Sequence, residues 1–256
     1  MMRTALLLTV IAVGMCLTAT NSLPVYPPEP VYPAFPFPRI EEYNEIVNWP
    51  WGTVDMTQPP VSSPTEFSGL NVAILAASGA EDVEFIYPYI FFKARGANVE
   101  VIGVEWQQKV GVQISDWIKP TYVVDITRTC KDVHVQQRKY DVIAIVGGSW
   151  SSAVMRNDPD CTAIVRDAVH GGNTIVAPIC SGNEVLVNTG LLAESHCDIT
   201  GSPFSGDILT LAGGNFKGSE LVVIPAQYKG MLISGNGPAA MFKWVQAIRQ
   251  AIIDHR

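Results

Sequence analysis

The stretch NTIVAPICSGN, residues 173–183, does most to predict the fold. Its apolar run does not alternate with polar residues, which indicates a strand buried on both faces. The run ends at Cys180, and the small residues Ser181 and Gly182 follow directly, so the chain can turn sharply. The spacing predicts a strand, a tight turn and a helix over 181–192.

Apolar runs of the same kind occur on both sides of this stretch. Apolar runs typical of strands alternate with helical patterns, which predicts parallel crossovers. One helix has clear end signals, because Asp158 can cap it, Pro159 suits its first position and Gly171 ends it. The fold class is therefore predicted as α/β, a doubly wound, mostly parallel sheet flanked by helices. The predicted strands cover 70–77, 98–104, 121–126, 140–148, 173–180, 220–225 and 229–234, and the predicted helices cover 81–96, 158–172, 181–192 and 238–253.

The first residues differ from this pattern. Residues 1–20 carry one positive charge, a short apolar run and then small residues, which is the order of a secretory signal peptide. An uncleaved anchor is the alternative, but a membrane span needs about 20 apolar residues. We therefore expect a secreted, extracellular protein without a membrane span once the signal is cleaved.

Residues 21–69 are predicted to be a proline-rich, extended leader, and residues 70–256 the α/β domain. The density of proline favours polyproline II and argues against a packed core. Between the proline runs, the chain around Trp49 and Trp51 could form one helical turn or dock through these tryptophans. The alternative function of the leader is a docking strip for an aromatic-lined groove.

Charge and cysteine usage exclude several classes of function. The chain carries a net charge of −7 and no basic run, so nucleic acid and anionic membranes are poor partners. Four cysteines remain after the signal is removed, and their spacing suggests neither a disulfide scaffold nor a metal site. One disulfide among Cys130, Cys161 and Cys197 is compatible with an oxidising compartment, but the sequence does not choose the pair, and buried free thiols are the alternative.

Cys180 is the strongest candidate for chemistry. Ligands of open parallel sheets bind beyond the carboxyl ends of the strands, where this residue is predicted to lie. Unpaired amides at the start of a following helix would stabilise a thiolate and lower the pKa of the thiol. The structural alternative is a small buried cysteine that ends a core strand.

Two further strand ends carry suggestive residues. Glu84 precedes an apolar run and is predicted to point inward, where burial would raise its pKa and let it bind the thiolate as a neutral acid. Glu81 and Asp82 are interpreted as acids that cap the helix start. Gly147 and Gly148 end another strand and would let backbone amides approach the same point, as an oxyanion hole requires.

Three motifs in order resemble the ThiJ/PfpI family of the class I glutamine amidotransferase-like superfamily. They are the acidic turn GAEDVEFIYP, the strand YDVIAIVGG and the elbow APICSGNEVLVNTGLL, and the closing SGNGPAAMFKW is similar to the family's Arg-Gly-Pro helix start. The resemblance implies a flavodoxin-like fold, a frequent homodimer, Cys180 as a nucleophile, Glu84 as its carboxyl partner and Gly148 as a nearby amide. It implies no cofactor and no metal, and a small-molecule ligand at the Cys180 pocket.

The chain also departs from the family pattern. Ser181 stands where many catalytic members have histidine, and the later loop CDITGSPFSG contains no histidine. His134, His170 and His196 are expected to have surface or structural roles, so a Cys-His-acid triad is not supported. Val146 replaces the proline that precedes the glycine pair in the family.

Three hypotheses about function follow. The first is a secreted protein whose reactive Cys180 is non-catalytic or redox-responsive and becomes sulfenate or sulfinate. The alternative is a cysteine-dependent glyoxalase, hydratase or hydrolase in which Cys180 attacks a small electrophilic carbonyl, Glu84 transfers the proton, and amides near Gly148 and Ser181 hold the oxyanion. The third, an amidotransferase or protease, requires a histidine that the sequence does not place.

Overall fold

The computed structural model describes residues 57–113, 122–224 and 231–255, together with the backbone of two short strands before them. The predicted signal peptide, residues 1–20, and most of the predicted leader lie outside these residues. The described strands are β1 Ile46–Trp49, β2 Gly52–Asp55, β3 Asn71–Leu75, β4 Ala80–Glu81, β5 Asn98–Gly103, β6 Lys109–Gln113, β7 Tyr122–Asp125, β8 Arg128–Thr129, β9 Val142–Ile145, β10 Ile175–Pro178, β11 Asp198–Ile199, β12 Asn215–Phe216, β13 Leu221–Ile224 and β14 Met231–Gly235. The α-helices are α1 Asp82–Lys93, α2 Cys130–Val135, α3 Ser149–Asn157, α4 Pro159–Gly171, α5 Leu191–Ser195, α6 Gly206–Leu211 and α7 Met241–Asp254, and 3₁₀ helices cover Cys180–Thr189, Pro203–Ser205 and Pro238–Ala240.

The central sheet has seven strands in the order β13-β14-β10-β9-β3-β5-β8. Every pair in it is parallel except the edge pair of β13 and β14. The strand order reverses between β3 and β9, which is the point where doubly wound sheets bind ligands. The predicted mostly parallel sheet is confirmed.

Helices cover both faces of this sheet, as the continuous apolar strands predicted. Val72 and Ile74 of β3 belong to a core shared with α1 and α7, whereas Ala73 and Leu75 belong to a core shared with α2, α4 and the Cys180–Thr189 helix. Because side chains alternate along a strand, each apolar strand supplies both cores. The cap of α4 is also as predicted, since the Asp158 carboxylate accepts hydrogen bonds from the backbone N–H groups of Asp160 and Cys161.

The element after Cys180 differs from the prediction. Residues 180–189 form a 3₁₀ helix, and only Leu191–Ser195 is α-helical. The sequence SGNEVLVNTG places glycine at both ends and valine, asparagine and threonine between them, which are weak α-helix formers. Tertiary packing therefore holds this segment as a tighter helix.

The end of the predicted leader lies along the domain and packs more closely than the density of proline indicated. The Tyr87 hydroxyl donates a hydrogen bond to the Thr57 carbonyl at 2.6 Å, and the Arg95 guanidinium donates to the carbonyls of Pro59 and Pro60. Phe67 is 1% exposed and lies in the core beside α1.

The segment around Trp49 also differs from the predicted helical turn. The backbone of β1 pairs antiparallel with that of β2, with Trp49 opposite Gly52. Within the part of the chain that is described, no helix is both long and apolar enough to cross a bilayer.

The structure settles the pairing of the cysteines that the sequence left open. Cys130, the first residue of α2, is joined by a disulfide to Cys161 in the first turn of α4. Cys180 and Cys197 are free thiols, and both are partly exposed.

Candidate active site

Three adjacent strands bring the predicted site residues together. The chain after β3 turns into α1 and carries Glu84, the chain after β9 carries Gly147, and the chain after β10 carries Cys180. Because β3, β9 and β10 are neighbours with their carboxyl ends at the same edge, the three residues meet at the reversal of the strand order.

Cys180 stands at a tight turn with a left-handed backbone, at φ 55°. This conformation is uncommon for a residue with a side chain, so the surrounding structure must hold Cys180 in place. Gly182 allows the turn, because a Cβ there would collide with the carbonyl of Ile145. The Asn183 side chain holds the turn closed, since its Nδ2 donates to the carbonyls of Cys180 and Gly235, both at 3.0 Å.

Glu84 is fully buried and points at the elbow. Its Oε2 accepts a hydrogen bond from the Gly147 N–H at 2.9 Å. A Cβ at Gly147 would collide with both Glu84 Oε2 and the Cys180 side chain, so glycine is required for the three backbones to approach this closely. Gly148 follows with φ 91° and precedes the first residue of α3, so the amide that reaches the carboxyl group belongs to Gly147.

The pKa shifts of Glu84 and Cys180 follow from burial, and no cation among the described residues opposes them. Burial raises the pKa of Glu84 to about 8, although hydrogen bonds with Cys180 and Gly147 oppose the rise. Burial also raises the pKa of the Cys180 thiol above its usual value, and the nearby charge of Glu84 adds to this rise. At neutral pH the carboxyl group is therefore a neutral acid next to a neutral thiol.

The direction for Cys180 corrects the expectation of a lowered pKa. The Ser181 N–H does stabilise the thiolate, as an amide at a helix start should. Desolvation and the charges of Glu84 and Glu81 outweigh that single amide.

Glu81 and Asp82 are more than helix caps. Glu81 precedes the first residue of α1 but makes no side-chain capping bond, which contradicts its predicted role. Burial and the neighbouring acids raise its pKa to about 9, and burial raises that of Asp82 to about 7. Sequence reasoning missed these buried acids because acidic residues are common in the first turn of exposed helices.

Two other residues near the elbow were also not predicted. The Ser152 hydroxyl of α3 donates to the Ser181 hydroxyl at 3.2 Å, which links this helix to the turn. Asn183, described above, holds the Cys180 carbonyl. The sequence does not indicate a role for Ser152, because α3 begins with SWSS, a composition typical of loops.

The histidines take positions away from the elbow. His134 Nδ1 is 2.6 Å from Asp160 Oδ1, and His170 Nε2 is 3.3 Å from Glu194 Oε2. His196 Nδ1 is 3.1 Å from the carbonyl of Gly213. Each has a structural or surface partner, in agreement with the roles expected from the sequence.

A strained cysteine between neighbouring strand ends, on a mostly parallel sheet with helices on both faces, defines a class I glutamine amidotransferase-like α/β protein. The DJ-1/PfpI family model matches residues 70–251, and the chain belongs to the DJ-1/PfpI family.

Individual relatives are distant but cover the domain. The chain is 26% identical to the Parkinson disease protein 7 homolog of Danio rerio over 73% of this chain and 91% of the relative. It is 28% identical to a deglycase of Pyrococcus horikoshii over 69% of this chain and 96% of the relative.

Solved structures show the same fold. A two-domain protein of Anabaena variabilis with DJ-1/ThiJ/PfpI-like and ferritin-like domains matches 71% of this chain with a TM-score of 0.62 and 26% identity, and this chain spans 49% of that protein. Schizosaccharomyces pombe DJ-1 matches 72% of this chain and 92% of its own length, with a TM-score of 0.60 and 20% identity.

Proposed function

We propose that this chain is an extracellular, redox-responsive protein in which peroxide oxidises Cys180 to a sulfenate and then a sulfinate. The observation that carries the proposal is the neutral acid beside the thiol. With its pKa raised to about 8, Glu84 keeps its proton at neutral pH and can donate a hydrogen bond to an oxygen on the sulfur. The Ser181 N–H supplies a second donor for the same anion.

The chemistry needs only the thiol and the oxidant. A thiolate attacks one peroxide oxygen, the O–O bond breaks, and sulfenate and water (or an alcohol) are formed, while a second peroxide converts sulfenate to sulfinate. Because the pKa of the Cys180 thiol is raised, little thiolate exists at neutral pH and the reaction is slow. A single slow oxidation per chain needs no turnover, so the raised pKa is compatible with a lasting modification of Cys180.

The backbone at Gly237 lies close to the thiol and to the carboxyl group. A Cβ there would lie 3.9 Å from Cys180 Sγ and 4.0 Å from Glu84 Oε1. Peroxide is small and uncharged, so it needs no cationic recognition group.

The extracellular setting rests on two independent features. Residues 1–20 have the order of a signal peptide, and Cys130 and Cys161 form a disulfide. Disulfides persist mainly in oxidising compartments such as the extracellular space. The homodimer that the family resemblance implies stays a prediction.

A second candidate function is supported by the names of curated relatives, several of which are deglycases. In that function Cys180 would add to a small carbonyl compound and Glu84 would transfer the proton. The positions of His134 and His196 favour the redox function, because neither stands beside the thiol as a base for carbonyl addition. The raised pKa of the thiol slows both reactions and does not separate them.

The test is mass spectrometry of the reduced protein after exposure to hydrogen peroxide at neutral pH. We expect Cys180 to gain two oxygens and stop there, with Cys197 as the internal control because it is also a free, partly exposed thiol. Glu84→Gln should keep the sulfinate, since its amide can still donate, whereas Glu84→Ala should let oxidation continue to the sulfonate.

Two results would contradict the redox function. One is a natural chain in which Cys180, like the control thiol Cys197, passes through sulfinate to sulfonate without stopping, and the other is a sulfinate that is as stable in Glu84→Ala as in Glu84→Gln. Steady turnover of methylglyoxal that disappears in Cys180→Ser would favour the second candidate instead.

A further inference from the structure

A second group of side chains with metal-binding atoms lies where α2 and α4 begin, outside the Cys180 turn. It consists of the disulfide-bonded Cys130 and Cys161 and the carboxylate of Asp158. One ligand atom from each of the three residues lies within 4.8 Å of the other two. Both cysteines are fully buried, and Asp158 is partly exposed, so the group has one side open to solvent.

The carboxylate of Asp158 has a free oxygen for a further role. Its Oδ1 accepts both capping bonds, from Asp160 N–H at 3.0 Å and from Cys161 N–H at 2.9 Å. Among the described residues Oδ2 makes no hydrogen bond. A metal ion could therefore bind Oδ2 while the cap of α4 stays in place.

We propose that, when the disulfide is reduced, Cys130, Cys161 and Asp158 bind a zinc ion, with water as the fourth ligand. Two thiolates and one carboxylate are a donor set that zinc accepts in tetrahedral geometry. An open fourth position is normal where a protein supplies three ligands.

The geometry of the two cysteines suits the metal. With Zn–S bonds of about 2.3 Å, tetrahedral coordination places the sulfurs about 3.8 Å apart. The Cα atoms are 5.0 Å apart in the disulfide, so rotation about the side-chain bonds can separate the sulfurs while the helices stay in place.

A second link keeps α2 beside α4 when the disulfide is open. His134, one turn after Cys130 on α2, is hydrogen-bonded to Asp160 of α4 at 2.6 Å. The buried side chains of Val133 and Ile164 belong to one core on the same side of the sheet. The three ligands therefore stay close together in the reduced protein.

The states of this group exclude each other. A thiol or phosphine reductant supplies two electrons, and with two protons the disulfide becomes two thiols. Zinc binding then releases the two thiol protons, because thiolates are the ligands. Oxidation reverses the sequence and expels the metal, so this group would hold zinc only under reducing conditions.

The experiment measures metal binding by the full chain before and after reduction with a phosphine. Cobalt(II) serves as the spectroscopic probe, because thiolate ligands give an intense near-ultraviolet charge-transfer band, and zinc should abolish that band by competition. We expect one cobalt per reduced chain and none per oxidised chain. Far-ultraviolet circular dichroism records that the reduced chain remains folded.

Variants separate this site from the other thiols. Cys130→Ser should abolish the band, and Cys197→Ser and Cys180→Ser should keep it. Asp158→Asn retains a capping residue but loses the anionic ligand, so it should fold and bind the metal at least about tenfold more weakly.

Three results would overturn the proposal. They are the absence of cobalt binding by the reduced chain, whether folded or unfolded, a band that survives Cys130→Ser, and unchanged affinity in Asp158→Asn.

Discussion

Two buried glutamates, Glu84 and Glu100, show opposite electrostatics within one sheet. Glu84 is 0% exposed and Glu100 is 6% exposed, so both are buried. The pKa of Glu84 is raised to about 8, whereas that of Glu100 lies below its usual value. Neither side chain has appreciable contact with solvent, but Glu84 lies deeper, and the groups that contact the two carboxylates also differ.

The difference lies in the partners. Glu100 accepts hydrogen bonds from the Tyr140 hydroxyl at 2.5 Å and from the guanidinium groups of Arg138 and Arg128 at 2.8 and 3.2 Å. Burial raises the pKa of Glu100, but these bonds and charges outweigh it. Glu84 accepts one hydrogen bond from a backbone N–H group and is hydrogen-bonded to the Cys180 thiol. The nearby charge of Asp82 raises its pKa further.

This contrast separates a structural carboxylate from a reactive one. Glu100 holds β5, β8 and the residues before β9 together as an ionised group with cationic partners. Glu84 is kept neutral at the elbow, where the described structure brings no cation into contact with it. A neutral acid can donate a hydrogen bond, which an ionised carboxylate cannot do.

The largest effect is expected for Glu84→Gln at alkaline pH. Because the folded pKa of Glu84 is raised, its contribution to stability is fully present below the unfolded value of about 4.5 and is lost as the pH rises to about 8. The amide cannot ionise, so Glu84→Gln should be about 3–5 kcal/mol more stable than the natural chain above that pH. Urea unfolding curves from acidic to alkaline pH measure this difference.

The difference in unfolding free energy between Glu84→Gln and the natural chain should change with pH. Below about pH 4.5 the two proteins should differ little, because Glu84 is then protonated in both folded and unfolded chains. A stability difference that does not change with pH would mean that Glu84 is ionised in the folded protein, and the comparison with Glu100 would fail.

The next effect has the opposite sign. Glu100→Gln removes the charge that pairs with Arg128 and Arg138 and should cost about 2–3 kcal/mol at neutral pH. Because the folded pKa of Glu100 is lowered, its contribution is present above the unfolded value and is lost as the pH falls through the folded value. The destabilisation should therefore shrink in acid. A cost below about 1 kcal/mol at neutral pH would show that solvent already screens the pair.

The sequence predicts the strand ends well but not the electrostatics between them. Continuous apolar runs place Glu84, Gly147 and Cys180 at one edge of the sheet, and the small residues after Cys180 indicate the sharp turn. The pKa of Cys180 depends first on the burial of its own thiol and then on the charges of Glu84 and Glu81, and in the sequence Glu81 looks like an ordinary acid at the start of a helix. The burial of a polar residue follows from tertiary packing, which the sequence does not show. The direction of the pKa shift of Cys180 was therefore predicted wrongly.

Other misses have the same origin. The leader was interpreted by its prolines, but contacts of Thr57, Pro59 and Phe67 with α1 and the chain just after it decide its end. The pairing of Cys130 with Cys161 needs two helices to begin side by side, which spacing along the chain does not reveal.

Asn236→Arg should make the elbow more like the surroundings of Glu100. Asn236 precedes Gly237, which borders the thiol, and its Oδ1 is buried without a hydrogen bond among the described residues. A guanidinium there would favour both anions and lower the pKa of Cys180. A shift of one pKa unit would make alkylation by iodoacetamide about tenfold faster at neutral pH.

The matched control for this variant is Asn236→Gln, which also lengthens the side chain but adds no charge. Equal alkylation rates in the two variants would attribute any change to side-chain size. A slower reaction in Asn236→Arg than in Asn236→Gln would mean that the cation does not act on the thiol.

The smallest effect tests which partner keeps Glu100 ionised. Tyr140→Phe removes one neutral donor and leaves both arginines, so it should cost about 1 kcal/mol at neutral pH. If the cations set the difference between the two glutamates, stability should still fall in acid as it does in the natural chain, because Glu100 keeps a low pKa. If the acid dependence disappears with the hydroxyl, one neutral hydrogen bond is sufficient to keep Glu100 ionised. Glu84 has such a bond from Gly147, so its raised pKa would then have to come from its burial and not from the lack of a cation. Urea unfolding of Tyr140→Phe at acidic and neutral pH decides between these two causes.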